Sequence, residues 1–237
     1  MPTKPASPTR KPMPPRRAAS LLIIDHTPDQ TRVLMGKRNA THDFMPNVFV
    51  FPGGRIEPAD RRMNIAGPLP EIVEQKIISA LPQGSAGIAR ALALASIRET
   101  FEETGFIIGD AECGTPEAPP EGAWSRYAAH GVYPNLEGFH FIARAVTPAG
   151  MPKRFDTIFF AVGAHEIIGQ SEGAIGPNSE FTALEWVNLD DFGDLPMAGI
   201  TRLILAEMKK RLDNGMSYFL PVPSFGYQYQ KWTRQEI

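Results

Sequence analysis

The run Arg98-Glu99-Thr100-Phe101-Glu102-Glu103-Thr104-Gly105-Phe106 constrains this chain more than any other stretch. Wound as an α-helix at about 100° per residue, it gathers Glu99, Glu102 and Glu103 within roughly one 100° arc. Leu94, Ile97 and Phe101 fall on the opposite side, so the helix has an apolar back that must rest on another layer. The acidic front is unfavourable on two counts. Like charges three and four residues apart repel, and carboxylates at a helix C-terminus oppose the macrodipole. Divalent cations offset both effects. A hard ion such as Mg²⁺ prefers oxygen ligands and commonly binds through a few carboxylates together with substrate phosphates. Taken alone, the same face reads equally well as a solvated acidic surface.

A second segment narrows the choice. Phe51-Pro52-Gly53-Gly54 reads as a strand ending in a tight turn, where glycines let backbone approach a ligand or ion closely. Arg55-Ile56-Glu57-Pro58-Ala59-Asp60 follows. By itself this too is an ordinary turn. Together the two segments resemble the Nudix hydrolase box, G-x5-E-x7-R-E-U-x-E-E-x-G-U, where U is aliphatic. Gly54 takes the first glycine, and Arg98, Glu99, Glu102, Glu103 and Gly105 match the second half in order and spacing.

The match has departures. Asp60 stands where the box has its first glutamate, Thr100 occupies a usually aliphatic position, and Phe106 occupies the last one. Residues 61–97 separate Asp60 from Arg98, 37 positions in place of seven. An insertion over about 61–87 accounts for this, and the pattern at 70–81 predicts that it carries a helix. Box insertions, the run Phe44-Met45-Pro46-Asn47-Val48-Phe49-Val50-Phe51-Pro52-Gly53-Gly54 and the run Pro152-Lys153-Arg154-Phe155-Asp156-Thr157 resemble the branch of the family that includes the peroxisomal coenzyme A diphosphatases. The fuller upstream pattern of dedicated coenzyme A cleavage is missing. The resemblance extends from about residue 18 to 215.

The rest of the chain fits a layered domain. Strand patterns cover 18–25, 31–37, 48–51, 139–146, 155–162 and 181–187. Helical patterns cover 70–81, 85–104 and 199–214, with Gly-Ser as a candidate cap before the second and Gly105 as its stop. Residues 109–122 read as an exposed loop. This alternation predicts an α/β protein, and the resemblance implies a Nudix-type α/β/α sandwich with a mixed sheet. Residues 1–17 hold six prolines and five basic residues with no acid, the pattern of a disordered tail before a single domain at 18–237. Taking those five cations from the net charge of −2 leaves −7 for the remainder, which suits a site that awaits cations.

Composition excludes several classes. A net charge of −2 argues against general nucleic-acid binding. One cysteine, Cys113, permits neither an intrachain disulfide nor a CxxC zinc pattern. The five histidines show no HxH or HExxH spacing. No apolar run approaches the roughly 18 residues of a membrane span. With no secretory pattern and no terminal address, a cytoplasmic location and no membrane association are expected.

The resemblance implies a metal-dependent hydrolase that cleaves the diphosphate of a nucleoside diphosphate linked to another group, with coenzyme A or acyl-coenzyme A as the leading substrate. Mg²⁺ or Mn²⁺ is the implied cofactor. Metal ions neutralise phosphate charge, activate water and orient attack. Glu99, Glu102 and Glu103 are the implied ligands, with the Gly53 carbonyl a fourth, and Arg98 holds a glutamate in place. Glu57 and Asp60 read first as loop supports. Lys37, Arg38 and Arg154 are candidate substrate contacts, although each also reads as a surface or paired cation. Arg154 and Asp156 either line the pocket or pair with each other. The general base stays open between a box glutamate and a distant carboxylate such as Glu172 or Glu180. Trp124, Tyr127 and Phe139 read as core residues before base-stacking ones. The aromatic run 225–229 packs either on its own domain or on a partner chain in a homodimer. The alternative function is a catalytically silent Nudix fold that senses a nucleotide or binds a protein.

Overall fold

The computed structural model describes residues 14–41, 46–228 and 231–237. The proline-rich stretch before residue 14, together with Phe44, Met45 and Tyr229, lies outside the described residues. Strand β1 (Arg16–His26) starts two residues earlier than its pattern suggested. It is the apolar centre of the sheet, because both of its faces are covered. Ala19, Leu21 and Ile23 enter one core and Leu22 and Ile24 the other.

The sheet is mixed. β1 runs parallel to β7 (Phe155–Gly163) from Arg16–Phe155 to Ile24–Gly163. At its far end it pairs antiparallel with β2 (Thr31–Arg38), and at its near end with β4 (Gly53–Arg55). β3 (Phe49–Val50) and β9 (Phe181–Asn188) extend β2. β6 (His140–Val146) lies beyond β7, followed by the hairpin β10 (Pro223–Gln228) and β11 (Lys231–Glu236). The expected turn at Gly53-Gly54 is therefore a short strand, held by pairing with Ala19 and Ser20. Phe225 is buried in this domain's own core, and Tyr227 meets Trp232 edge-on at 5.1 Å.

Helices α1 (Glu71–Ala80) and α2 (Ala86–Thr104) cover one face of the sheet. Helix α4 (Gly199–Asp213) covers the other. The long segment after Asp60 thus carries its own helix, as its periodicity predicts. Short elements that the sequence pattern did not suggest are β5 (Phe106–Ile108), paired with β8 (Ile167–Gln170), and α3 (Ala123–Ala128). Among the described residues, no helix is long and apolar enough to cross a membrane.

Helix α2 is buried almost throughout, with alanines at 89, 91, 93 and 95 that allow close approach to its neighbours. Its polar interior residues satisfy themselves. Thr100 donates to the Ser96 carbonyl at 2.7 Å and Thr104 to the Thr100 carbonyl at 2.6 Å, so an aliphatic position tolerates a threonine. Ser85 sits at the N-cap without a side-chain capping bond. Gly105 ends the helix with φ 77° and donates to the Phe101 carbonyl. A Cβ there would come within 2.2 Å of the Ser171 carbonyl oxygen. Both the left-handed conformation and that contact oppose any side chain. Gly105→Ala should lower the unfolding free energy by about 2 kcal/mol or more, read from the urea midpoint at unchanged slope.

Candidate active site

The carboxylate end of α2 meets the start of β4, and Arg98 organises the junction. Its side chain is 4% exposed, yet each of its five N–H donors has an acceptor. Nε and Nη2 grip the Asp60 carboxylate at 2.8 and 3.2 Å. Nη1 serves Glu99 at 2.9 Å and Glu102 at 3.0 Å. Nη2 also reaches the Arg55 carbonyl at 2.8 Å. Burial alone would make this cation easier to lose, but its hydrogen bonds to Asp60 and the charge of Glu99 hold it protonated well above the usual range.

Asp60 is wholly buried and accepts two further bonds, from Trp124 Nε1 at 2.9 Å and from the Glu57 amide at 2.7 Å. It ties the loop after β4 to α2 and α3. Glu57 supports the loop through its backbone. Trp124 and Tyr127 are core residues rather than base-stacking ones: both are fully buried, and the Tyr127 hydroxyl donates to the Ile108 carbonyl at 2.6 Å. Phe139 is buried against Phe160. The Trp124–Asp60 bond and the contact of Arg126 with Glu102 at 3.1 Å had no signal in the sequence, because they depend on where α3 docks.

The glutamates occupy three different settings. Glu102 is the most exposed of them and lies between Arg98 and Arg126. Glu99 lies against Gly54, where a Cβ would fall 2.2 Å from its Oε1. Only glycine lets β4 run this close to the carboxylate. Burial raises the Glu99 pKa, and Arg98 only partly counters it. Glu103 accepts from the Gly53 amide at 3.0 Å. Its pKa is pushed well above the carboxylate range, first by burial and then by the charge of Glu99. Among the described residues, Glu99 Oε2 and Glu103 Oε1 accept no hydrogen bond. Two crowded carboxylates, each with an unclaimed oxygen, form a donor set that suits a hard cation. Among the described residues, no three His, Cys, Asp or Glu side chains gather in a group that could hold a metal ion, so a cation here would need further ligands from backbone, water or substrate.

A pocket of about 200 Å³ opens beside this cluster. Its lining includes Ser20, Arg38, Gly53, Gly54, Thr157 and Thr201. Arg38 pairs with Glu180 at 2.8 Å, and both act on Glu103 electrostatically. Arg154 does not pair with Asp156. It donates to the Thr147 and Pro148 carbonyls, while Asp156 takes a bidentate bond from Arg144 at 2.7 Å for each oxygen. Glu172 is exposed in a separate surface hollow beside Thr104. Lys37 is half-buried at the end of β2, beside Arg38.

The buried pair is the mechanical anchor of the cluster. Asp60→Ala strands Arg98 in the interior and should cost about 3–5 kcal/mol of stability in urea unfolding. Glu102→Gln, at a half-exposed position, should cost less than about 1 kcal/mol in the same measurement.

No family model matches the chain. A curated Caenorhabditis elegans protein provisionally assigned as nudix hydrolase 7 is 32% identical over 92 residues, 39% of this chain. The chain spans only 22% of that relative's length. A crystal structure of a NUDIX hydrolase from Alicyclobacillus acidocaldarius superimposes with a TM-score of 0.59 at 29% identity. That alignment covers 81% of this chain and 90% of the other. By fold, and over part of its sequence, this chain is similar to Nudix hydrolases, and its mixed sheet between helical layers is their α/β/α sandwich.

Proposed function

We propose that the protein hydrolyses the diphosphate bond of a nucleoside diphosphate linked to another group, using Mg²⁺ or Mn²⁺. The observation that carries this reading is the pairing of Glu99 and Glu103 against the Gly53-Gly54 strand, each with an unclaimed oxygen, beside an open pocket. Glu99, Glu103 and the Gly53 carbonyl would hold the metal, with Glu102 joining as its arginine contacts loosen. When bound, the metal neutralises phosphate charge and lowers the pKa of a ligated water.

The remaining work falls to the chain's own groups. Arg98 fixes Glu99 and Glu102, and the Gly53 amide fixes Glu103, so the carboxylates are oriented before substrate arrives. Arg38 lines the pocket and can exchange its Glu180 partner for a phosphate oxygen, and Lys37 stands next to it. That exchange would leave Glu180 to take the proton of the attacking water, in preference to the distant Glu172. Water adds to phosphorus, the bridging oxygen leaves on the other phosphate, and two phosphate monoesters result. The runs resembling the coenzyme A diphosphatase branch favour coenzyme A or an acyl-coenzyme A as substrate.

One observation favours a second reading, a silent nucleotide-binding module: both Glu102 oxygens are held by arginines. A mass-spectrometric product screen separates the two. Coenzyme A, acetyl-coenzyme A, ADP-ribose, NADH, a dinucleoside polyphosphate and nucleoside triphosphates are incubated with Mg²⁺ or Mn²⁺. Metal-dependent cleavage is expected, with 4′-phosphopantetheine appearing from coenzyme A. Glu103→Gln and Glu102→Gln should each lower turnover by about two orders of magnitude or more with circular dichroism unchanged. Binding without any product would favour the module.

A further inference from the structure

The three glutamates at the end of α2 share one pattern. Glu99 Oε1 is held by Arg98 at 2.9 Å, Glu102 Oε2 by the same guanidinium at 3.0 Å, and Glu103 Oε2 by the Gly53 amide at 3.0 Å. One oxygen of each carboxylate is thus fixed by a donor that the fold itself fixes. The second oxygens differ. Among the described residues, those of Glu99 and Glu103 accept no hydrogen bond, whereas Glu102 Oε1 takes one from Arg126 Nη2 at 3.1 Å. Arg126 is therefore the difference between two prepared oxygens and three.

Arg126 is unlike the other donors. The Arg98 side chain is 4% exposed and all its N–H groups are committed, so it cannot move without stranding a buried charge. The Arg126 side chain is 61% exposed, and among the described residues Glu102 is its only side-chain partner. It stands on α3 between Trp124 and Tyr127, which are fully buried, and the Trp124 bond to Asp60 ties that helix to the Arg98 anchor. The backbone is thus held while the guanidinium reaches through water to its carboxylate. An ion pair this exposed is weak and easily exchanged. It still matters at the negative pole of the helix, where Glu102 repels Glu99.

We infer that Arg126 and a divalent cation compete for Glu102 Oε1, so that Arg126 is a positioning residue holding the third carboxylate until the cation takes that oxygen. This rests on the metal-dependent reading above. The exchange disturbs little, because Oε2 stays on Arg98 and only the Arg126 side chain has to swing into solvent. It leaves each glutamate with one oxygen on a fixed donor and one oxygen for the ion.

Two measurements test it. In the first, Mn²⁺ binding to the full chain is read from the electron paramagnetic resonance signal of the free ion, with no substrate present. Arg126→Ala should bind at least about threefold more tightly than the wild type, and Arg126→Lys, which keeps the charge, should stay within about twofold of it. In a Glu102→Gln background, Arg126→Ala should change the Kd by less than about 1.5-fold. A smaller gain in the wild-type background overturns the inference. So does an equal gain in the Glu102→Gln background, which marks a general charge effect. The second measurement is a crystal structure with Mn²⁺ bound, in which Arg126 Nη2 should stand beyond about 4 Å from Glu102 Oε1. A contact that persists beside the bound ion overturns the exchange and leaves the hydrolase reading intact. Failure of both the wild type and Arg126→Ala to bind millimolar Mn²⁺ overturns the metal-dependent reading itself.

Discussion

A guanidinium taken out of water must be matched donor for donor, and the Arg98–Asp60 pair meets that demand at the centre of this molecule. Five donors on Arg98 meet three carboxylates and a carbonyl, and Asp60 accepts from Arg98, Trp124 and a backbone amide. Isolated buried ion pairs seldom add net stability over apolar packing. This one has a different use. It fixes the loop after β4, the end of α2 and the turn of α3 to one another, so the acidic groups on α2 are presented in a single arrangement. The repulsion among Glu99, Glu102 and Glu103 is tolerated because Arg98 stands behind two of them and the Gly53 amide behind the third.

The sandwich supplies the stiffness that this arrangement needs. β1 is paired on both edges and covered on both faces, and α2 is buried along nearly its whole length. The unfavourable chemistry is confined to the last turn of the helix, where the chain reverses at Gly105. Strong packing over most of α2 therefore offsets the electrostatic cost at its end. The pocket beside the acidic cluster opens toward the start of β1, where Ala18, Ala19 and Ser20 stand in place of the larger apolar residues further along the strand.

Much of this was legible in the residues. The alternation of strand and helix patterns gave the layers, and the spacing of Glu99, Glu102 and Glu103 opposite Ile97 and Phe101 gave the orientation of α2. The Gly53-Gly54 pair was recognisable, although as a turn rather than a strand, because its pairing with Ala19 and Ser20 is nonlocal. The same limit hid every contact between distant segments. Nothing near Trp124 in sequence announces Asp60, and nothing near Arg144 announces Asp156. Arg154 lies just before β7 and donates to the Thr147 and Pro148 carbonyls, while Asp156, on the strand, is claimed by Arg144 of the neighbouring β6. Short elements such as β5 and α3 carry too few residues for a period to emerge.

Trp124 gives this architecture an optical consequence. Its indole is fully buried, 5.3 Å from the Tyr127 ring, and its N–H points at a carboxylate that also holds Arg98. The other two tryptophans, Trp186 and Trp232, are only partly buried. The emission of Trp124 therefore responds to the electric field at Asp60 and to any loosening of the arginine beside it. The protein carries a native fluorophore wired to the anchor of its acidic cluster, and its colour reports whether that cluster is assembled.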